Sequence, residues 1–133
     1  MEKNKDAYMN YVCPYCWYTL DNCTCELYPP YSLIFIDKNI QEHIRILNEK
    51  GYRTMACCEG HMDVCISTYI SFADNYFKNV SAPDGFQYDK NRRTISYVYS
   101  MKLTEEKMEE IKKHKLDTLL NWCKSLPNRS MEE

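Results

Sequence analysis

The cysteines constrain this chain more than any other feature, because they are bunched. Four of the eight lie between Cys13 and Cys25, three between Cys57 and Cys65, and Cys123 stands alone. A chain of 133 residues can bury a core without covalent staples. Its N-terminal residues lack the apolar stretch of a signal peptide, so the expected location is the cytoplasm. There, clustered thiols serve as metal ligands, as reactive groups or as core filler, rather than as disulfides. A hydrophobic fraction of 44% excludes wholesale disorder. The longest apolar run, Leu33 to Ile36, is far too short to cross a membrane. A net charge of -2 argues against a dedicated duplex-DNA binder, which draws its affinity from many cationic contacts to phosphate.

The first cluster reads Cys13-Pro14-Tyr15-Cys16, six residues, then Cys23-Thr24-Cys25. Two close pairs joined by a short connection let four thiolates converge tetrahedrally on one Zn²⁺, with Zn–S bonds of about 2.3 Å. Thiolates are soft ligands and select zinc over magnesium or calcium. Four protein ligands close the coordination shell, so the expected role of Cys13, Cys16, Cys23 and Cys25 is structural. Two alternatives stand beside it. Cys-Pro-Tyr-Cys is also the active-site tetrapeptide of glutaredoxins, although no Thr-Val-Pro or Gly-Gly follows here. The four cysteines could equally be buried thiols without a metal.

Pro29-Pro30 stops both helix and central strand. The domain division expected is therefore a zinc-knuckle module over 1–30, a main domain over 31–127 and a polar tail over 128–133. Ser32–Ile36 reads as a strand covered on both faces. Asp37 is placed to cap a helix over Lys38–Lys50, in which Ile40, Ile44 and Leu47 recur at helical spacing and Gly51 stands at C′. Tyr52–Cys57 reads as the next strand. That order predicts a parallel crossover and hence a mixed sheet. Ile66–Ala73 and Thr94–Met101 alternate as strands, and 74–93 reads mostly as a long loop or hairpin excursion with an Asp84-Gly85 turn. From the Thr104 cap to Pro127, an amphipathic helix carries Met108, Ile111, Lys115, Leu119, Trp122 and Leu126 on one stripe. The fold class is α+β: a zinc knuckle, then a mixed three- to four-stranded sheet with two helices.

The second cluster forms the loop Cys57-Cys58-Glu59-Gly60-His61, with Cys65 close behind. If the strand continues, Cys57 and Cys58 point to opposite faces. His61 can act as base, donor or metal ligand, and Glu59 adds a carboxylate. Cys58, Glu59 and His61 are thus candidate catalytic residues, as nucleophile, acid or base. Alternatively, Cys57 or Cys58 with His61 and Cys65 binds a second metal. The loop could also hold an anion on its backbone N–H groups, or simply shape a turn.

The segments Ile36–Ile40, Leu47–Thr54, Cys57–His61 and Tyr69–Phe72 resemble a group of small proteins from Firmicutes and their phages. These carry a zinc-ribbon-like head and share a Cys-Cys-x-Gly-His core. The resemblance covers roughly residues 13–100 and implies a bacterial or phage setting, with no reaction attached. More distantly, the helix, the Gly-Tyr-x-Thr strand and the loop resemble the Ser-Cys-Ser-Gly-Arg core of the tRNA wybutosine-synthesising methyltransferase family. That likeness would imply S-adenosylmethionine and tRNA, but Glu59 and His61 stand here in place of serine and arginine.

Tyr97 and Tyr99 share one face of the last strand, where Tyr69 can join them. Such rings can stack on bases, and Arg92 and Arg93 can meet phosphates. The same tyrosines also suit a strand half-buried against a helix. The function expected is a zinc-binding module for a nucleotide, RNA or protein partner. The alternatives are an enzyme acting on RNA or a nucleotide through the Cys58/Glu59/His61 loop, and a phage protein that inhibits a host defence system.

Overall fold

The computed structural model describes residues 9–13, 17–18, 34–61 and 66–129. The element order is β1 (Met9–Val12), β2 (Ile34–Asp37), a 3-10 turn (Lys38–Ile40), α1 (Gln41–Glu49), β3 (Thr54–Cys58), β4 (Ser67–Phe72), β5 (Gln87–Asp89), β6 (Thr94–Val98) and α2 (Glu105–Ser125). β3, β4, β6 and β5 form, in that order, a four-stranded antiparallel sheet, and β1 and β2 form a separate antiparallel pair. The fold class is α+β, as expected from the sequence. The parallel crossover and the mixed sheet are not formed. β2 takes β1 as its partner instead of β3, so the strands flanking α1 belong to different sheets. β1 lies within the stretch assigned to the N-terminal module, yet it pairs with the first strand of the main domain. No described helix is long and apolar enough to cross a membrane.

The core explains the elements. Ile40, Ile44 and Leu47 from α1 and its approach meet Leu116, Leu119 and Cys123 of α2 over Ile70, Phe72 and Ile95 of the sheet. Of the two forms expected for 74–93, its end takes the hairpin, with β5 paired to β6, and the rest adds to the core. Phe77, 2% exposed, stacks on Tyr52 at 5.1 Å and meets Phe72, Tyr88 and Trp122. β6 ends at Val98, so Met101 leaves the expected strand and is exposed.

α1 and α2 run parallel and in register. His43 Nε2 donates to the Leu116 carbonyl at 2.8 Å and Lys50 Nζ to the Cys123 carbonyl at 3.0 Å, both 73 residues apart. Helices with equal rise keep such an offset only if they run the same way. Lys50 also donates to the Lys124 and Leu126 carbonyls at 2.6 Å, which places an ammonium on the negative end of the α2 dipole. At the other end, Thr104 Oγ1 accepts from the Lys107 N–H, as the sequence predicts. Beyond α2, Arg129 donates to the Gly51 carbonyl and lies over Tyr76, so the chain past residue 127 begins as an anchor.

Burial pushes the His43 pKa below the ordinary histidine value, against the opposing pull of the Leu116 carbonyl. The unfolded chain, with an ordinary value of about 6.5, then binds more protons than the folded one. This contribution to stability is complete above the unfolded value and is lost as pH falls towards the folded value. His43→Gln keeps an N–H donor and removes the titration. Urea unfolding from about pH 7.5 to about pH 5 should show the wild type losing stability relative to H43Q. A pH-independent difference between them would show that His43 titrates as in an unfolded chain.

Candidate metal centre

β3 carries a bulge that decides which cysteine faces where. Thr54 pairs with Phe72 but Ala56 with Ser71, so Met55 is the additional residue. A one-residue insertion inverts the alternation that follows. Cys57 therefore lies opposite Ile70, on the core side, and Cys58 opposite Tyr69, on the other face. Burial, followed by the negative charges of Asp37 and Glu59, pushes the Cys57 thiol up to about 12. It is core filler. Cys123, on α2, is also pushed up to about 12 by burial.

Cys58 meets Asp37 and His61. Thiol sulfur, carboxylate oxygen and ring nitrogen lie within 4.8 Å of one another, and all three residues are buried. Asp37 Oδ2 is 3.0 Å from His61 Nε2 and accepts the Glu59 N–H at 2.9 Å. Cys58 Sγ accepts the Gly60 N–H at 3.4 Å. Asp37 stands where the sequence places a helix cap, but its side chain caps nothing and turns to the loop instead. This buried group could hold a metal ion.

Behind the donors, Glu59 organises the loop. Its carboxylate accepts the Asn39 backbone N–H and side-chain amide at 2.9 Å each, and the Lys112 ammonium at 2.9 Å. Lys112 also donates to the Gly60 carbonyl at 3.1 Å and pairs with Glu109. Burial alone would raise the Glu59 pKa, but the bonds from Asn39 and Lys112 outweigh it and hold the carboxyl below its usual range. Burial likewise opposes the charge of Lys112, and Glu59 reverses this and raises its pKa. Thr68 Oγ1 donates to the Glu59 carbonyl at 2.7 Å, which leaves the Tyr99 hydroxyl to donate to Thr68 at 2.7 Å. Gly60 takes φ +103°, and a Cβ there would meet the Tyr99 ring at 3.0 Å and Thr68 Oγ1 at 3.2 Å. The loop thus requires glycine on both conformational and steric grounds.

The expected site residues separate. Cys58 and His61 come together, but Glu59, 2% exposed and fully engaged, is a brace rather than an acid or base open to substrate. Tyr97 and Tyr99 do share a face, but it is the inner one. Tyr99 is buried and its hydroxyl pushed up to about 12, first by burial. Tyr97 packs on Phe86 and under the Lys115 ammonium. They form no exposed stacking platform, because strand alternation sends both towards α2. Tyr69 and Arg92 instead line a groove of about 430 Å³ on the opposite face, while Arg93, at φ 52°, turns the β5–β6 connection and donates to the Ala73 carbonyl. Of the N-terminal cysteines, Cys13 is buried, and its carbonyl accepts from Trp17 N–H while its N–H donates to the Tyr18 carbonyl, both at 3.0 Å. Cys16, Cys23 and Cys25 lie outside the described residues, as does Cys65. Sequence reasoning missed Asp37 and Lys112. An aspartate at a strand end before a Cys-x-x-His loop is a usable signal for the first. A lysine in an otherwise apolar helical stripe is the signal for the second, but the stripe as read contained Lys115.

Comparison with known proteins gives no matching protein family, no matching curated protein and no matching solved structure.

Removing one partner of a buried ion pair strands the other. Lys112→Met should lower the urea-unfolding free energy by about 3–5 kcal/mol. Adding Glu59→Gln should restore part of it, giving a favourable coupling energy of at least about 1 kcal/mol. Additive losses would show that the pair does not act as a unit.

Proposed function

We propose that this chain is a zinc-binding module and that Asp37, Cys58 and His61 hold the ion. The buried convergence of the three donors within 4.8 Å carries the reading. The donor set fits zinc: one thiolate, one imidazole and one carboxylate form a borderline-soft shell that calcium and magnesium do not favour. Two N–H bonds, Gly60 to Cys58 and Glu59 to Asp37, brace the donors from outside, as in protein metal sites generally. A tetrahedral ion takes four ligands, and these residues supply three. The fourth is either a donor outside the described residues, Asp63 and Cys65 being the nearest in sequence, or water. With water the ion would act as a Lewis acid; with Cys65 it would hold the loop.

We also propose a structural zinc at Cys13, Cys16, Cys23 and Cys25. The buried Cys13 and the two hydrogen bonds that close residues 13 and 17–18 on each other support it. The module would serve to bind a nucleotide, RNA or protein partner.

A second reading rests on the 3.0 Å His61–Asp37 contact beside Cys58. Thiol, imidazole and carboxylate then form a nucleophile, a base and its orienting group. Such a protein would be an enzyme on RNA or a nucleotide, with Asp37 in place of Glu59.

Metal content separates the readings. Protein purified without chelator should hold close to two zinc ions, falling by one in Cys13→Ser and by one in Cys58→Ser or His61→Ala. Glu59→Gln should keep the ion but bind it about 10–100-fold more weakly. Zinc uptake by the apoprotein should release protons, because thiol and imidazole must be deprotonated. Zinc content unchanged by substitution of Cys58 and His61 would sink the metal reading. Alkylation of Cys58 that is fast and depends on His61 would then favour the nucleophile.

A further inference from the structure

The four-stranded sheet has two unlike faces. α1 and α2 pack on the face that carries Ile70, Phe72 and Ile95. Strand alternation puts Ser71, Thr94, Ser96 and Val98 on the other face. There they line the groove of about 430 Å³, together with Asp89 and Arg92 from the β5–β6 hairpin. That volume lies within the usual range for small-molecule sites. Asp89, Thr94 and Ser71 are cross-strand neighbours and form one row over three strands, with Ser96 in the next row.

The hydrogen bonds of the first row limit what the groove can recognise. Each hydroxyl has one proton to donate. Thr94 Oγ1 donates to the Arg92 carbonyl at 2.9 Å. Ser71 Oγ lies 2.8 Å from Thr94 Oγ1 and must therefore be the donor of that pair. Both hydroxyls are left with lone pairs only. Asp89 Oδ1 accepts the Asn91 and Arg92 N–H groups at 2.9 and 3.2 Å, while Oδ2 takes no hydrogen bond among the described residues. Three acceptors thus stand in line. Beside them the exposed Arg92 guanidinium makes no hydrogen bond or ion pair among the described residues, and the Ser96 hydroxyl, also without a partner there, can donate or accept.

This pattern disfavours charged ligands of either sign. A phosphate needs donors, and one guanidinium stands here against a carboxylate and two hydroxyls whose protons are already committed. A cation would meet Arg92 next to the carboxylate. The two charges balance, and acceptors outnumber donors. Val98, 64% exposed, adds an apolar surface at the far end. A neutral molecule rich in O–H donors, with ring or hydroxyl oxygens for Arg92 and an apolar C–H side for Val98, matches every group in the groove. We propose that this outer-face groove binds a neutral saccharide. Neighbouring sugar hydroxyls donate to Asp89 and to the Ser71–Thr94 pair, Arg92 donates to a sugar oxygen, and Ser96 takes either role. The site uses none of the three metal donors and does not rest on the zinc reading.

The test is titration of the full chain, as purified with its metal, with glucose, galactose, mannose, maltose, cellobiose and lactose. Inorganic phosphate and adenosine 5′-monophosphate are titrated alongside, and binding is followed by calorimetry and by backbone amide resonances. At least one neutral sugar should bind with a Kd below about 10 mM and shift the Ser71, Thr94 and Ser96 signals, with phosphate and the nucleotide weaker. Asp89→Asn keeps the oxygen that holds the Asn91 and Arg92 N–H groups and exchanges the other acceptor for a donor, while Arg92→Ala removes the guanidinium. Each should weaken sugar binding at least about tenfold without changing thermal stability. Absence of any sugar binding below about 10 mM would overturn the proposal. So would tighter binding of phosphate or of the nucleotide, or sugar binding indifferent to Asp89 and Arg92.

Discussion

The rest of the structure hangs on one buried carboxylate. Glu59 joins the turn after β2, through Asn39, to α2, through Lys112, while its carbonyl is held by Thr68 of β4. Segments 20, 53 and 9 residues away are fixed against one another at a single residue. An ionised carboxylate in such a place is tolerated only because its oxygens are all but saturated by hydrogen bonds and its charge is matched. That requirement puts a lysine inside a helical interface and orders a loop that would otherwise be free to open.

The donors follow from this arrangement together with the β3 bulge. The bulge turns Cys58 away from the core. Gly60, at positive φ, bends the chain so that His61 returns towards Asp37, and the Glu59 N–H holds the Asp37 carboxylate in place. Metal ligands are positioned by their supporting shell as much as by their own side chains. Here the groups that position Asp37, Cys58 and His61 span β2, β3, β4 and α2, so their convergence is a property of the assembled domain and not of the Cys-Cys-x-Gly-His segment.

The two helices show the same dependence on distant partners. His43 reads in the sequence as one polar residue on an otherwise ordinary helix, and Lys50 as one charge before a glycine. In the structure, one donates to the backbone of α2 and the other caps its end. These contacts make α1 and α2 a parallel pair with a charged groove between them.

Local chemistry was legible from the residues alone. Helix α2 with its Thr104 cap, helix α1 with Gly51 at its end, the alternation of β4 and β6 and the importance of Cys58 and His61 all rest on neighbours a few positions apart. Periodicity and capping act over that distance. Strand partners were not legible: whether β2 pairs with β1 or β3 depends on long-range packing that hydrophobic pattern does not encode. Nor was the face that Tyr97 and Tyr99 present, since alternation says they share a side but not which one α2 covers. Asp37 was read as a cap because capping is local, and it joined the site only when the fold brought residues 37 and 61 within 3.0 Å. By itself the sequence determined both helices, the strands β2, β3, β4 and β6 to within a few residues, and two of the three donors. Tertiary structure alone decided the third donor and the ion pair behind it, because both arise from charges that meet only after the chain has folded.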